Sequence, residues 1–161
     1  MERLWTPWRR AFVEADGTHL QGCFLCTKPA EHNDRQNLIV YRGPLAYVLL
    51  NLYPYNNGHL LIAPYAHTGD LAKLETSTAS ELMQLTQHSV DVLQRVYHPH
   101  GFNVGMYLGK SAGAGVPDHV HVHVVPRWEG DTNFMPVLAD TKVLPESLAQ
   151  SYDRLEPSFR S

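Results

Sequence analysis

The chain has 161 residues, of which 43% are hydrophobic and 18% are charged. This length predicts one domain over residues 1–161, and the composition excludes both a disordered polar chain and, with no run of about 18 apolar residues, a membrane span. Lysine and arginine number 13 against 16 acidic residues, so the chain lacks the basic surface that dominates binding to nucleic-acid polymers. The first residues hold no apolar segment of the kind found in a signal peptide, which predicts a cytoplasmic protein.

Alternating and β-branched apolar segments, interrupted by glycine and proline, predict five strands. In chain order these strands cover 38–42, 46–52, 59–63, 102–108 and 119–125. The connections between the first three are short, which favours antiparallel pairing. We therefore expect a mostly antiparallel five-stranded sheet.

Between the third and fourth predicted strands the apolar period changes from two to about 3.6, which predicts a long amphipathic helix after a short turn at 71–74. Thr78 and Glu81 have the spacing of a capping box, so the helix is expected to begin there and to end before Pro99. Pro145 followed by 146–155 predicts a short C-terminal helix with proline at its first position. Together with the sheet, these helices predict an α+β fold.

Three of the ten histidines, His119, His121 and His123, alternate with valines. Because successive side chains of a strand point to opposite faces, the three imidazoles are expected on one face at intervals of about 6.5 to 7 Å, with the valines in the core. Two of them can share a metal ion, but the outer pair lies about 13 Å apart, too far for one ion with bonds of about 2 Å. A half-exposed strand without function would more naturally carry threonine or lysine.

The remaining use of this pattern is nucleophilic chemistry. A neutral imidazole can attack phosphorus to form a covalent phosphoramidate, and its ordinary pKa near 6.5 leaves it mostly deprotonated at pH 7. The central His121 is the natural nucleophile. A neighbouring histidine can bind the transferred group or protonate the leaving oxygen.

The alternating histidines and valines, with their surroundings, resemble the motif of the histidine-triad superfamily of nucleotide hydrolases and nucleotidyltransferases. As in that family, an asparagine, Asn51, lies eight residues before a histidine, His59. The flanks at 4–9 and 124–128 are most similar to the bacterial diadenosine tetraphosphate phosphorylases. The resemblance covers about 23–128, leaving 1–22 and 129–161 as extensions, and implies a histidine-triad fold and a homodimer or homotetramer.

The resemblance also implies roles for individual residues. His121 would take the nucleotidyl group and His123 would contact the phosphate. Asn51 would bind the ribose hydroxyls, and Asn103 matches a position near the scissile phosphate. The alternative for both asparagines is a polar residue at the end of a strand.

Two apolar residues near these positions have open assignments. Leu49 shares a strand face with Asn51, so it either lines the base pocket or belongs to the core. Trp128 either stacks near the site or covers the edge of the sheet.

The sequence of the loop before the triad indicates whether water or phosphate accepts the nucleotidyl group. Hydrolases of the superfamily usually carry Gly-Gln-Ser/Thr-Val there, whereas residues 113–118 of this chain hold no glutamine to keep the phosphate in place during attack by water. Lys110, Ser111 and Gly113 lie in a glycine-rich stretch that either forms an anion-binding nest or is only a loop.

We therefore expect phosphorolysis of diadenosine tetraphosphate to ADP and ATP, with inorganic phosphate as acceptor and no organic cofactor. Two alternatives stay open. One is hydrolysis of dinucleoside polyphosphates or nucleotide phosphoramidates through the same histidine, and the other is a nucleotide-binding module without turnover.

Cys23 and Cys26 form a C-x-x-C pair and are the only cysteines of the sequence. The galactose uridylyltransferase branch of the superfamily, which this chain resembles here, binds zinc with such a pair, a histidine after the third strand and the first triad histidine. His67 and His119 occupy those positions, so the resemblance implies a structural zinc with four protein ligands. The alternative is a thioredoxin-like redox pair, but those cysteines open a helix after a strand, whereas these precede the first predicted strand.

Overall fold

A computed structural model of the chain describes residues 22–131 and 144–161. Its strands are β1 Ile39–Arg42, β2 Ala46–Leu50, β3 Leu60–Pro64, β4 Gly101–Gly105 and β5 Val122–Arg127. Its α-helices are α1 Phe24–Ala30, α2 Asp34–Asn37, α3 Thr76–Tyr97 and α4 Leu148–Phe159. The flanking motif at 4–9, and the parts of the two extensions at 1–21 and 132–143, lie outside the described residues.

The five strands form one sheet in the order β1-β2-β3-β5-β4, and every neighbouring pair is antiparallel. This confirms the predicted five-stranded α+β fold. Strand β5 lies between β3 and β4, where His123 pairs with Leu61 on one side and with Gly105 on the other. The last triad histidine is therefore held on an interior strand, next to the edge strand β4.

The predicted strand over 119–125 begins only at Val122 and continues to Arg127. The residues before it leave the ladder because their backbone bonds elsewhere: the N–H of Val120 donates to the carbonyl of Thr68 at 2.7 Å, and that of His119 to the carbonyl of Val116 at 3.4 Å. The prediction of three histidines on one continuous strand is wrong, since only His123 belongs to β5.

Two apolar clusters cover the two faces of the sheet. Helix α3 packs on one face over alternate strand residues such as Val48 and Val124. The opposite face carries a smaller cluster beneath α1, and Leu49, which is 1% exposed, lies within it. Of the two assignments open for Leu49, the structure favours the core. Burying both faces in this way supplies the main favourable free energy of folding.

Helix α3 begins two residues before the predicted capping box, and Thr78 is buried inside its first turns. The carboxylate of Glu81 instead accepts the backbone N–H groups of Leu45 and Ala46, at 2.8 and 2.9 Å. The capping-box prediction is therefore wrong, because Glu81 binds the turn between β1 and β2. The predicted turn at 71–74 is present as a 3₁₀ helix, and α3 ends before Pro99 as expected.

The C-terminal helix α4 begins at Leu148 rather than directly after Pro145. Ser147 and Gln150 form a capping box there, which satisfies backbone groups of the first turn. Helices α1 and α2 were not predicted, because they are only seven and four residues long and α1 contains Pro29. Within 22–131 and 144–161, no helix has the length and apolar character needed to cross a bilayer.

Candidate active site

His121 and His123 lie side by side, with ring centroids 4.9 Å apart. Nδ1 of His121 is 2.9 Å from the carbonyl oxygen of His119. Because a carbonyl only accepts, Nδ1 of His121 carries the proton and donates it, which leaves Nε2 of the neutral ring with a lone pair. Burial lowers the pKa of His121 below its ordinary value, although the bond to His119 opposes this shift. The surroundings of His121 therefore favour the neutral ring, with its lone pair on Nε2.

In His123 the proton lies on the other ring nitrogen, Nε2, and the hydrogen bond from His59 places it there. Nδ1 of the fully buried His59 accepts the backbone N–H of Tyr55 at 3.1 Å, so the proton of a neutral His59 lies on Nε2. That Nε2 is 3.0 Å from Nδ1 of His123 and donates to it. A neutral His123 therefore carries its own proton on Nε2, so the two neighbouring rings present a lone pair and an N–H group respectively.

His59 was not among the predicted site residues. It entered the sequence analysis only as the histidine that follows Asn51 by eight residues, and that spacing was the signal that could have found it. The side-chain amide nitrogen of Asn51 lies 3.3 Å from Nδ1 of His59, and its Oδ1 accepts the backbone N–H of Tyr53 at 3.0 Å. The structure thus places Asn51 against His59 and in one depression with His121 and His123.

A small depression of about 40 Å³, which we call the narrow cavity, opens over these groups. Its walls include Asn51, Tyr53, Tyr107, Gly113, His121 and His123. Of the three predicted loop residues, only Gly113 lines it, in a left-handed conformation with φ of 90°. Lys110 and Ser111 lie on an exposed 3₁₀ turn and line neither this cavity nor the second one described below.

The second space, which we call the wide cavity, measures about 430 Å³ and shares His123 and Tyr107 with the narrow one. Asn103 and Arg127 line it, and Nη1 of Arg127 donates to Oδ1 of Asn103 at 2.8 Å. Asp131 accepts two further bonds from the guanidinium, at 2.6 and 2.8 Å, and this pairing holds the pKa of Asp131 well below its usual range. Arg127 was not a predicted site residue.

Trp128 follows β5 directly, and its backbone N–H donates to Asp131 at 3.2 Å. It is not among the residues that line either cavity. The predicted roles of these residues stay predictions, but the structure places Asn51, Asn103, His121 and His123 around two adjoining spaces.

Cys23, Cys26, His67 and His119 converge on one point beside this site, and one ligand atom from each lies within 4.8 Å of all the others. Nδ1 of His119 is 3.3 Å from Sγ of Cys23 and 3.3 Å from Nδ1 of His67. Nε2 of His119 lies 2.9 Å from the carbonyl of Pro64 and donates to it, so Nδ1 keeps a lone pair for a metal. These four residues can hold a metal ion.

The redox alternative for the cysteine pair fits the structure less well. Cys23 does precede a helix, α1, as a redox pair requires. However, burial and the neighbouring Cys23 raise the pKa of the Cys26 thiol, whereas reactive cysteines have a lowered pKa. With two histidines against the thiols, a metal centre explains more of the geometry.

Comparison with known proteins agrees with this site. The model of the HIT domain family matches residues 32–130. A protein of Mycobacterium tuberculosis named AP-4-A phosphorylase is 43% identical over 155 residues, covering 92% of this chain and 79% of the relative. An asymmetrical bis(5'-nucleosyl)-tetraphosphatase of Schizosaccharomyces pombe is 33% identical over 93 residues, which is 58% of this chain and 50% of that protein.

Solved structures share the fold. A Zn-bound histidine triad family protein from Mycobacterium smegmatis superposes with a TM-score of 0.67 at 22% identity, covering 85% of this chain and 91% of that one. A hypothetical histidine triad nucleotide-binding protein from Sulfolobus tokodaii also gives a TM-score of 0.67, at 25% identity over 86% and 89% of the two chains. The family model spans more than half of the sequence and the M. tuberculosis relative aligns with nearly all of it, so this chain belongs to the HIT domain family.

Proposed function

We propose that this protein is a nucleotidyltransferase that cleaves diadenosine tetraphosphate by phosphorolysis to ADP and ATP, through a nucleotidyl-His121 intermediate. The observation that carries the proposal is the hydrogen-bond geometry of two adjacent rings, which assigns their protons to opposite ring nitrogens. Nε2 of His121 presents a lone pair, and Nε2 of His123 presents a proton. An enzyme that forms a phosphoramidate and releases a phosphate oxygen needs both groups within reach of one phosphorus atom.

In the first step, Nε2 of His121 attacks the phosphorus next to one adenosine, and a nitrogen–phosphorus bond forms. The bond from that phosphorus to the bridging oxygen breaks, and ATP leaves with the electron pair. The Nε2–H group of His123 stabilises the charge that develops on the phosphate oxygens. In the second step an oxygen of inorganic phosphate attacks the same phosphorus, the nitrogen–phosphorus bond breaks, and ADP leaves while Nε2 of His121 regains its lone pair.

The choice of phosphate as acceptor has two supports. The relative from M. tuberculosis that aligns with 92% of this chain is named AP-4-A phosphorylase. In addition, the loop before the triad holds no glutamine that could orient water, and Gly113 and Gly115 line the narrow cavity at that place. A phosphate ion positioned there would react at a high effective concentration.

We infer that the metal of the Cys23, Cys26, His67 and His119 cluster is zinc, because two sulfur and two nitrogen donors suit tetrahedral zinc. A zinc ion bound there would cross-link three segments of the chain, and with four protein ligands it would be structural. His119 also contacts the nucleophile, because its carbonyl oxygen accepts the Nδ1 proton of His121. His119 would thus link the metal cluster to the position of the nucleophile.

The expected homodimer or homotetramer and the cytoplasmic location belong to the same proposal. Light scattering of the purified protein measures the assembly, and a result of one chain per particle would contradict that part. The catalytic proposal does not depend on it.

Product analysis tests the reaction. The protein is incubated with diadenosine tetraphosphate, with and without millimolar phosphate, and the nucleotides are separated by chromatography. We expect ADP and ATP in equal amounts, at a rate that depends on phosphate. If AMP and ATP form at a rate that does not depend on phosphate, the activity is hydrolysis and not phosphorolysis. If the protein shows no turnover, and if after incubation with labelled substrate and denaturation it retains no label, it would be only a nucleotide-binding module.

A further inference from the structure

The mechanism above uses the narrow cavity and leaves the wide cavity without a role. The narrow cavity, at about 40 Å³, contains both reactive histidines and Asn51. The wide cavity is much larger, at about 430 Å³, and His123 lines it but His121 does not. His123 therefore lies between the narrow cavity, which contains the nucleophile His121, and the wide cavity, which does not.

This arrangement matches the geometry of displacement at phosphorus. The attacking atom and the leaving oxygen lie roughly in line on opposite sides of the phosphorus. The attacking atom is on His121, at the narrow cavity. His123 and Arg127 lie on the same face of β5, with Cα atoms about 13 Å apart along the strand, and they lead away from His121. A leaving group that departs past His123 therefore enters the wide cavity.

The walls of the wide cavity suit a nucleotide. Arg127 offers a guanidinium whose plane is fixed by Asp131 and Asn103, and these bonds use three of its five N–H groups. Such a group binds phosphate oxygens well. Tyr55 and Tyr107 supply aromatic rings, on which a base can stack. The volume falls within the range of about 300 to 1,000 Å³ that is typical of small-molecule pockets, and a single phosphate ion would leave most of it empty.

We propose that the wide cavity binds the leaving nucleotide of the dinucleoside polyphosphate, and that this binding makes the enzyme select dinucleotides over mononucleotides. The inference rests on the proposed function, because it assigns the second half of the same substrate. It commits to a nucleoside with its attached phosphates as the occupant; the acceptor phosphate is the competing occupant.

Gly105 allows a direct test, because it lines the wide cavity and a Cβ atom added there meets nothing within 4 Å. The series Gly105→Ala, Gly105→Leu and Gly105→Phe fills the cavity progressively. Gly101 lies on the same face of β4 and does not line the cavity, but it pairs with Arg127 across the strands, so a large side chain at position 101 would contact a wall of the cavity. The control is therefore Gly101→Ala alone, because a Cβ atom added there meets nothing within 4 Å.

Four quantities are measured for each variant: kcat/KM for diadenosine tetraphosphate, the KM for phosphate, the rate at which labelled phosphate exchanges into the mononucleotide ADP, and the affinity for AMP by equilibrium titration. The exchange is included because Gly105 pairs with His123 across the strands, and exchange uses the two histidines without the leaving nucleotide. We expect kcat/KM to fall with side-chain size at position 105, by about tenfold or more for Gly105→Phe, because the leaving nucleotide loses its site. The exchange rate, the KM for phosphate and the affinity for AMP should stay within twofold of wild type. Gly101→Ala should match wild type in all four.

Other outcomes would overturn the proposal. An unchanged kcat/KM across folded Gly105 variants would show that the cavity does not bind the substrate. A rise in the KM for phosphate alone would make the acceptor ion the occupant. A loss of AMP affinity or of the exchange rate as large as the loss of kcat/KM would mean that the narrow cavity or His123 had been disturbed. If Gly105→Phe does not fold, the alanine and leucine variants give the trend.

The proposed function can fail separately. Wild-type protein that forms AMP and ATP without phosphate is a hydrolase, but ATP is still the leaving nucleotide. The Gly105 series then tests the wide cavity through kcat/KM alone.

Discussion

The metal cluster and the reactive pair are adjacent, yet they use histidine in opposite ways. In the metal cluster, the carbonyl of Pro64 occupies Nε2 of His119 and leaves Nδ1 for an ion. In the reactive pair, the carbonyl of His119 occupies Nδ1 of His121 and leaves Nε2 for phosphorus. Under the proposed roles, the ring nitrogen that a backbone carbonyl engages would determine whether a triad histidine serves as a ligand or as a nucleophile.

Among the tests of this comparison, replacing the proposed nucleophile should have the largest effect on activity. We expect His121→Asn to lower kcat by at least about a thousandfold, because an amide cannot form the covalent intermediate. AMP affinity should change little. Rapid-quench detection of the labelled intermediate, together with steady-state rates, measures both effects.

His98→Asn is the matched control, because His98 is exposed at the end of α3 with φ of 48°, a conformation that asparagine tolerates. It should keep wild-type activity. Activity of His121→Asn within about tenfold of wild type would refute the assignment of the nucleophile.

The positioning of His123 gives the next largest effect. His59→Leu removes the donor to Nδ1 of His123, and we expect kcat to fall by about 10- to 100-fold, with KM nearly unchanged and an altered pH profile. His59→Gln keeps an amide N–H that can donate to His123, and it should restore part of the activity. Equal losses in both variants, with an unchanged pH profile, would mean that His59 has only a packing role.

The metal cluster is tested through stability. Purified without chelator, the wild-type protein should contain about one zinc ion per chain. Cys23→Ser should lose the metal and several kcal/mol of stability, since the binding free energy of a structural zinc contributes to folding. Thermal unfolding with and without chelator measures this loss.

Chelation serves as the control within the same protein, because it should lower the melting temperature of wild type and leave Cys23→Ser unchanged. Wild type that contains no metal as purified, or whose melting temperature is unchanged by chelator, would contradict a structural metal. Slower turnover after metal loss would further support the link from His119 to His121.

The smallest expected effect is on stability and concerns Asp131. Asp131 holds Arg127 through an ion pair, whereas backbone carbonyls hold the histidines of the other two regions. Because Arg127 lowers the pKa of Asp131 in the folded state, protonation favours unfolding. Its contribution is complete above the ordinary pKa of about 3.9 and is lost as the pH falls below that value. Partial exposure of Arg127 limits it to about 1 kcal/mol.

Denaturant titrations of wild type and Asp131→Asn between pH 3 and pH 7 measure this term. Wild type should be the more stable protein at pH 7, and the difference should shrink toward pH 3. A difference that is independent of pH would show that the ion pair does not stabilise the fold.

Much of the architecture follows from the sequence alone, because hydrophobic period is a local property. The change from a period of two to about 3.6 after the third strand located α3, and alternating segments located the strands to within a few residues. The resemblance of Cys23, Cys26, His67 and His119 to the zinc ligands of the galactose uridylyltransferase branch likewise identified the residues that converge in the metal cluster.

Only the tertiary structure decided the remainder, since long-range contacts override local preference. Glu81 binds the turn between β1 and β2 instead of capping α3, and the bond from Val120 to Thr68 holds the first two triad histidines outside β5, which begins only at Val122. No local pattern specifies that β5 lies between β3 and β4, yet this placement brings His123 against His59 and opens the wide cavity beside it. The sequence by itself determined which residue types meet at the site, and the pairing of distant backbone segments determined which ring nitrogen each histidine presents.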